Sequence, residues 1–425
     1  MKDIRTIEVT FSPPESGGVR VTWFCRLLGS VLMLLLAVGC STGSEDAESP
    51  LPKEKPVLKV YVFAPEKPIV TRADIDNVDA SAEEAAINTL DVWVFENSAA
   101  ATNGSLVGHV HQSNISWKGQ KEVAINVSDD FANRKPNVDI YVAANAGAAG
   151  LTLGASSTPS KLESAMIASD YFGLTKLISS VPVEGLPMSG LLKDQKVSGS
   201  APVFQAQTNS GGLATVKLVR AVSKVRFIFS KSKSNTQDIK ELCIKLGGKV
   251  LPKQEYLFLD GVYPTVKSNV VSGGLEAAQD GAYVADAVVL VSGKTKDDIA
   301  SNSDPASFAY GTVENETAQA YEDRINRGLR EVQNDAGDVT KPIELSELGR
   351  FYLRESDRKL AGTIEYKIGE EQKSPDFSMA ADGDFTRNHT WIVYGYFMGN
   401  GELKLNVVDV KAWTVEDAQH KVYNW

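Results

Sequence analysis

The chain has 425 residues, of which 43% are aliphatic or aromatic and 23% are charged, and its formal net charge is −10. These proportions are typical of a folded globular chain with room for two domains of ordinary size, and they exclude an intrinsically disordered protein. A net acidic chain gains nothing from releasing the counterions of a phosphate backbone, so the composition argues against nucleic acid as a partner.

The N-terminal segment has the pattern of an export signal. Residues 27–38 form a largely apolar run that is too short to span a bilayer, and Arg20 and Arg26 give it a positive flank. The run ends in small residues before a cysteine, which is the pattern of a lipobox. We therefore predict a signal peptide over residues 1–39, cleavage between Gly39 and Cys40, and a diacylglycerol on the sulfur of Cys40. The alternative is an ordinary secretory signal that is cut nearby.

Residues 40–56 are small, polar and acidic, and they lack an apolar face, so we interpret them as a flexible tether after the lipidated cysteine. Apart from Cys25 and Cys40, the one remaining cysteine is Cys243, which excludes an internal disulfide framework. Cys243 lies in an alternating segment and is predicted to be a small buried apolar residue.

The remainder of the chain is rich in β-strand patterns and poor in helical ones. Alternating or β-branched segments separated by turn residues occur at residues 57–64, 90–95, 138–143, 214–230, 241–246, 287–291, 362–368, 390–398 and 402–413. Short helices are predicted after Ser81, whose spacing to Glu84 is that of a capping box, and at residues 161–174 and 318–332. This pattern predicts an all-β fold with minor helix, built from antiparallel sandwiches.

The best domain boundary lies near residue 212, before the long apolar run. We predict an N-terminal domain over residues 57–212 and a C-terminal domain over residues 213–425. Residues 293–349 are polar with weak periodicity, and we interpret them as a long insertion or loop region of the second domain.

No known catalytic motif is present, and no cofactor is predicted. His109 and His111 would share one face of a strand, which suits a metal, but the sequence indicates no further ligand and favours a structural or surface role. A glycoside hydrolase stays open, because a carboxylate pair cannot be placed from sequence. The strand aromatics, such as Trp93 and Trp391, favour core packing over a sugar-binding platform.

One feature near the tether indicates a mechanism. The apolar strand at residues 57–64 is followed by Arg72 and Ala73, and Arg72 is the only arginine between Arg26 and Arg134. An arginine-selective protease could release this strand and leave a groove of unpaired backbone groups and apolar pockets that another strand would fill. The alternative is a plain first strand followed by an accidental arginine.

Several stretches together resemble the fimbrillin superfamily of Bacteroidales, the lipoprotein pilins. They are the lipobox at Cys40, the strand before Thr71-Arg72-Ala73, and residues 83–95, 141–147, 186–190, 218–225, 387–391 and 407–413. The resemblance covers most of the chain but not residues 293–349. It implies two transthyretin-like antiparallel β-sandwich domains in tandem and a structural rather than enzymatic role.

The resemblance also implies how such a subunit is assembled. An arginine-specific protease cuts after Arg72, the first strand leaves, and a C-terminal strand of a neighbouring subunit replaces it. Here the donor corresponds to residues 402–425, with Val407, Val408, Val410, Trp413 and Tyr423 as the side chains that fill pockets. The implied partners are other fimbrial subunits, the protease and the outer membrane, reached through the lipid. Two other readings stay open, a monomeric surface lipoprotein that binds a glycan or host ligand, and a hydrolase.

Overall fold

The chain is described by a computed structural model. It describes residues 54–64, 83–97, 104–115, 117, 119–167, 172, 179–253, 255–258, 283–302, 346–379, 385 and 387–410. All of these residues belong to one compact unit, residues 54–425. The predicted signal-cleavage and lipidation residues Gly39 and Cys40, the predicted protease site Arg72–Ala73, and the predicted donor residues Trp413 and Tyr423 lie outside the described residues.

The described residues form mostly β-strands with a few short helices. The strands of the N-terminal half are β1 Val57–Phe63, β2 Thr89–Glu96, β3 Leu106–Ser113, β4 Gln120–Asn126, β5 Val138–Ala144, β6 Met188–Ser200, β7 Val203–Gln207, β8 Thr215–Lys217 and β9 Val219–Arg220. The strands that follow are β10 Ser223–Ser232, β11 Ile239–Leu246, β12 Val288–Lys294, β13 Ala300–Asn302, β14 Ser346–Leu353, β15 Leu360–Ile368, β16 Glu371–Lys373, β17 Asp376–Met379, β18 Thr390–Phe397 and β19 Leu403–Val410. Helices α1 and α2 span Asp129–Arg134 and Pro159–Glu163, and 3-10 turns span Ala146–Ala149 and Lys296–Asp298.

The first nine strands form one sheet in the order β3-β2-β5-β6-β7-β1-β4, with β8 beside β1 and β9 beside β6. The long strand β6 pairs with β5 through its first part and with β7 through its second, so it joins two groups of strands. Both groups contribute side chains to one apolar core. That core is built from alternate strand residues such as Val60, Val92 and Val142, which are fully buried. Alternation works here because successive side chains of a strand point to opposite faces.

The other ten strands form two sheets, ordered β13-β10-β18-β19 with β14 also on β10, and β12-β11-β15-β16 with β17 also on β15. Their shared core includes Phe227, whose ring meets those of Phe351 and Phe377 edge to face at centroid distances of 6.3 and 5.7 Å. Edge-to-face contacts suit the quadrupoles of the rings and add to the energy of burial.

A third apolar cluster joins the two groups of strands. Trp93 and Tyr141 from the first group pack with Phe258 at ring-centroid distances of 6.5 and 5.7 Å, and Tyr352 of β14 belongs to the same cluster. Strand pairing changes from the first sheet to the second group between Arg220 and Ser223. The exact domain limits, residues 57–212 and 213–425, stay a prediction.

Most predicted strands are confirmed, and three element predictions are wrong. The run at residues 214–230 is divided into β8, β9 and the start of β10, because the chain crosses there from one sheet to another. The helix at residues 161–174 ends at Glu163, after which Met166 forms a β-bridge with Tyr256. Residues 83–88 form a turn and an irregular segment rather than a helix, and Ser81 lies outside the described residues.

The predicted insertion at residues 293–349 is also partly wrong. Residues 300–302 form β13, which pairs in parallel with β10, and residues 346–349 begin β14, which pairs antiparallel with the same strand. These strands were missed because their polar residues, at the edge of the sheet, do not show the apolar alternation from which strands were predicted. Residues 303–345, which include the predicted helix at residues 318–332, lie outside the described residues.

Candidate functional site: the slot of the first strand

Strand β1 lies inside the first sheet rather than at its edge. It pairs antiparallel with β4 over all seven of its residues, from Val57 opposite Asn126 to Phe63 opposite Gln120. On its other side it runs parallel to β7 through residues 57–59 and parallel to β8 through residues 61–63. We call the space between β4 on one side and β7 and β8 on the other the slot.

The backbone of β1 is satisfied at both ends of the slot. Val57 N–H donates to the carbonyl of Pro202 at 2.8 Å, and Ala64 N–H donates to the carbonyl of Gly119 at 3.0 Å. The carbonyl of Phe63 accepts from the N–H of Leu218 at 3.0 Å. Any strand that replaced β1 would have to meet donors and acceptors on two sides, because buried backbone groups cost free energy when they are left unpaired.

Alternate side chains of β1 fill the core. Leu58, Val60 and Val62 are fully buried and Ala64 is 2% exposed, whereas the residues between them are half-buried. The three large side chains, Leu58, Val60 and Val62, are together worth about 4.5–9 kcal/mol in gross burial free energy, at roughly 1.5–3 kcal/mol for each. The slot is therefore a set of apolar pockets of defined spacing.

The outer face of β1 carries a small polar group. Lys59 Nζ lies 2.8 Å from Glu122 Oε1, and the hydroxyl of Tyr61 donates to Glu122 Oε2 at 3.1 Å. The hydrogen bond from Lys59 lowers the pKa of the Glu122 carboxyl. Because this group is exposed, it fixes the pairing register more than it adds stability.

The predicted donor residues that can be described lie in β19. This strand pairs antiparallel with β18 over its whole length, with Val407 opposite Val393, Val408 opposite Ile392 and Val410 opposite Thr390. Val407 is partly buried against the core of the second strand group. In this structure β19 thus completes its own sheet, and it lies at the end of that sheet's strand order.

Four residues of the motifs that carried the family resemblance, Glu84, Arg220, Lys224 and Asn388, meet Tyr352 of β14 at one place, which we call the junction cluster. The Glu84 carboxylate is fully buried and accepts from Lys224 Nζ at 3.0 Å and from the hydroxyl of Tyr352. Arg220 Nε donates to the Glu84 carbonyl at 3.0 Å. Burial lowers the pKa of Lys224 and of Arg220 and raises that of Tyr352.

Asn145 explains the motif that follows β5. Its backbone is left-handed, with φ of 53°, and its side-chain oxygen accepts from the N–H groups of Asn88 and Thr89 at 2.9 and 3.2 Å. Its amide nitrogen donates to the carbonyls of Ala86 and Leu186, both at 2.9 Å. Asparagine tolerates this backbone conformation, and its amide bonds two separate segments that would otherwise leave buried groups unpaired.

A second buried charged group lies within the later strands. Arg387 donates from Nε to Glu355 Oε1 at 3.0 Å and from Nη1 to the carbonyl of Leu257 at 3.0 Å. Glu255 Oε2 accepts from the N–H of Glu355 at 3.0 Å. Burial raises the pKa of Glu255 to about 8, which keeps this carboxyl protonated at neutral pH. No local pattern in the sequence indicates this pairing.

The two histidines do lie on one face of β3, and the acidic neighbour missing from the sequence argument is Asp91. Its Oδ1 lies 2.9 Å from His109 Nε2 and 2.9 Å from His111 Nδ1. Within the described residues, no group of three or more histidine, cysteine, aspartate and glutamate side chains is arranged to hold a metal ion. Cys243 is half-buried rather than buried, so the prediction for this thiol is wrong in degree.

The strand aromatics pack inward, as predicted. Trp93, Tyr141, Tyr394 and Tyr396 are at most 1% exposed, and Trp391 is 7% exposed. A sugar-binding platform requires exposed rings, so these residues do not form one. Among the described residues, no helix is long and apolar enough to cross a membrane.

Residues 57–220 match the family of the major fimbrial subunit protein (FimA). Through these residues, the chain is similar to the fimbrillin family. The match begins at the first residue of β1 and ends at the last residue of β9, so it covers the whole first sheet. The resemblance inferred from the motifs is confirmed. The family consists of fimbrial structural subunits rather than enzymes, and a fimbrial subunit is a protein of the cell surface.

No curated protein sequence is significantly similar to the chain. Among solved structures, it is similar to a proposed cell adhesion protein from Parabacteroides distasonis, with 13% identity, coverage of 85% of this chain and 98% of that one, and a TM-score of 0.45. The tip fimbrial protein Mfa3 of Porphyromonas gingivalis gives 12% identity, 84% and 99% coverage, and a TM-score of 0.39. The fimbrial anchor protein Mfa2 of the same organism gives 9% identity, 83% and 97% coverage, and a TM-score of 0.33.

Proposed function

We propose that this fimbrillin is a structural subunit of a surface fimbria, built from two transthyretin-like β-sandwich domains in tandem and supporting adhesion. The chain is exported, lipidated at Cys40 and anchored in the outer membrane. An arginine-specific protease cuts between Arg72 and Ala73, β1 leaves the slot, and a strand of a neighbouring subunit enters. The observation that supports this most is the position of β1, which is flanked by strands on both sides and buries every second side chain.

The energetics favour replacement of β1 over a permanently empty slot. An empty slot exposes pockets worth about 4.5–9 kcal/mol of gross burial free energy and leaves the facing backbone groups of β4, β7 and β8 without partners. A strand held on a neighbouring subunit recovers both terms. Because the original strand is cut from the chain, its return is no longer intramolecular, so it loses its effective-concentration advantage over a strand from a neighbouring subunit.

The proposed donor is the C-terminal segment, residues 402–425, with Val407, Val408, Val410, Trp413 and Tyr423 filling pockets. The sequence Val-x-Val-x-Ala begins at Val60 in β1 and occurs again from Val408 in this segment. The two stretches therefore offer the same three side chains at the same spacing. This repetition supports a donor that enters in the direction in which β1 runs.

The first experiment is N-terminal sequencing of the protein recovered from the cell surface. A start at Ala73 is expected, and an acylated start at Cys40 on all molecules would contradict removal of the strand. The variant Arg72→Ala is expected to block maturation and polymer growth. Lys67→Ala is the matched control, because it removes a basic residue from the same stretch of sequence and should leave maturation intact.

The lipid anchor is tested with Cys40→Ser, which is expected to abolish incorporation of labelled lipid. Unchanged labelling of this variant would overturn the lipidation step, while leaving strand removal to be judged by the N-terminal residue.

The donor is tested by two truncations. Removal of residues 411–425 leaves β19 in place, so this variant is expected to fold but not to polymerise. Removal of residues 402–425 also takes Leu403, which is 8% exposed, and the pairing partner of β18, so it is expected to lower stability as well. Normal polymers from the shorter truncation would exclude the segment beyond β19 as donor.

A further inference from the structure

Strand β4 depends on β1 in an unusual way. Among the described residues, β4 pairs with β1 and with no other strand, so it ends the strand order of the first sheet. If β1 leaves, β4 loses all of its strand pairing at once. If β4 then moved away from β7 and β8, the slot would be lost before a new strand could enter.

One end of β4 is fixed by contacts that do not involve β1. Two residues after β4, helix α1 begins with Ser128 as its cap, whose Oγ accepts from the N–H of Phe131 at 3.1 Å. Phe131 and Ala132 are 2% and 8% exposed and belong to the core of the first sheet. The helix is thus anchored by burial of its own side chains.

Two basic residues at the end of α1 tie it to the rest of the sheet. Arg134 Nη2 and Nη1 lie 2.5 and 3.2 Å from the two carboxylate oxygens of Glu96, at the end of β2. Lys135 Nζ donates to the carbonyl of Gly199 at 2.7 Å and lies 5.5 Å from the ring centroid of Phe204. Phe204 is on β7 and pairs with Leu58, so Lys135 connects the two walls of the slot at the Val57 end.

The opposite end of the slot has a weaker tie between its walls. Gln120 Nε2, at the start of β4, donates to Thr215 Oγ1 of β8 over 3.4 Å; Gln120 is exposed to solvent and Thr215 is half-buried. Such a long exposed hydrogen bond between two side chains adds little stability. The two ends of the slot therefore differ in how firmly β4 is held.

We infer that α1 is a hinge that holds β4 against β7 at the Val57 end, and that the slot opens and fills from its Phe63 end. This inference rests on the proposed strand exchange for its use, but the difference between the two ends is a property of the intact chain. At the Phe63 end an entering strand finds β4 and β8 already separated. It pairs with them first, and its pairing then proceeds toward α1. The hinge keeps the empty slot from collapsing or splaying during the exchange.

The test is native-state hydrogen exchange of the full-length chain, resolved to short segments by fragmentation in the mass spectrometer. We expect the amides of residues 61–63 and 120–122 to exchange roughly tenfold faster than those of residues 57–59 and 124–126, because local opening starts where the ties are weakest. In Lys135→Met, and independently in Glu96→Gln, the amides of residues 57–59 and 124–126 should exchange faster, until the two ends of the slot exchange at similar rates.

Lys121→Met is the matched control, since it removes a lysine from β4 that lies 5.3 Å from the ring centroid of Trp117 and does not bridge the walls. It should leave the exchange rates of residues 57–59 and 124–126 unchanged. Equal exchange at both ends of the wild-type slot would overturn the direction of opening, and a gradient unaffected by both hinge variants would overturn the role of α1. The N-terminal residue found on cells decides strand removal separately, so failure of either idea is recognised by its own measurement.

Discussion

Replacement of Glu84 by glutamine tests how firmly the junction cluster holds the two groups of strands together. Glutamine keeps the shape of the side chain and its hydrogen bond from Tyr352, but it removes the negative charge beside Lys224. The side chain of Lys224 is 4% exposed, so its ammonium group has little access to water. Breaking such a buried pair from one side costs about 3–5 kcal/mol.

The same magnitude follows from the lysine alone. In the variant, Lys224 can avoid being a buried unpaired charge by losing its proton. For a reference pKa near 10.4, the free energy of deprotonation is about 4–5 kcal/mol at pH 7. The cost falls by about 1.4 kcal/mol for each pH unit, so it should be near 2 kcal/mol at pH 9. The variant is therefore expected to gain stability relative to wild type as the pH rises, because its unfolded state binds the proton that its native state has lost.

The assay is urea denaturation of wild type and variant at pH 7 and pH 9, followed by circular dichroism. Glu347→Gln is the control, since Glu347 is also paired with an arginine of β10, Arg226 at 2.9 Å, but its side chain is 29% exposed. Its loss should cost about 1 kcal/mol or less. If Glu84→Gln were as mild as the control at pH 7, or equally severe at both pH values, the reasoning about the buried charge would be refuted.

Three further predictions concern other parts of the structure. Because burial raises the pKa of Glu255 to about 8, the native state holds this proton between about pH 4.5 and pH 8 while the unfolded state releases it, so stability falls as pH rises through that window. Glu255→Gln should flatten the fall in urea midpoint between pH 5 and pH 8, and an unchanged slope would contradict the assignment. Gly185→Ala should cost about 2 kcal/mol more than Gly211→Ala in thermal unfolding. Both glycines have positive φ, but an added Cβ would lie 2.4 Å from the Asn145 amide at Gly185 and would meet open space at Gly211. Val60→Ala should lower stability by about 2–3 kcal/mol and speed amide exchange in β1 and β4 together; slower or unchanged exchange there would argue against a shared opening.

The sequence was informative where one property recurred at a fixed period. The apolar strand predicted at residues 57–64 is observed as β1, and Leu58, Val60 and Val62 on one of its faces are all fully buried. The same signal was available for β4, where the buried Val123 and Ile125 alternate with the exposed Glu122, Ala124 and Asn126, and it was missed because the segment is short. Continuous apolar runs were less informative. The run at residues 214–230 is buried almost throughout, so periodicity could not show where the chain leaves one sheet for the next.

The junction cluster shows what one sequence cannot supply. The motif containing Glu84 was noticed, but a capping box was the local explanation, and its real partners are 140 and 268 residues away at Lys224 and Tyr352. Asn145 was likewise recognised as part of a motif, whereas its four side-chain hydrogen bonds depend on segments brought together by folding. Local propensity cannot assign a residue whose interactions are all between distant segments.

The junction cluster and the slot also bear on each other. The proposed strand exchange requires that β1 can leave while the strands after the proposed protease site stay in place. Strand β2 meets this requirement, because it pairs with β3 and β5 and with neither wall of the slot, and the preceding turn is held by Glu84. Loss of β1 thus removes one strand from the first sheet without removing the contacts that join it to the later strands. A subunit built this way can exchange a strand and remain one folded body, as assembly into a polymer under tension would demand.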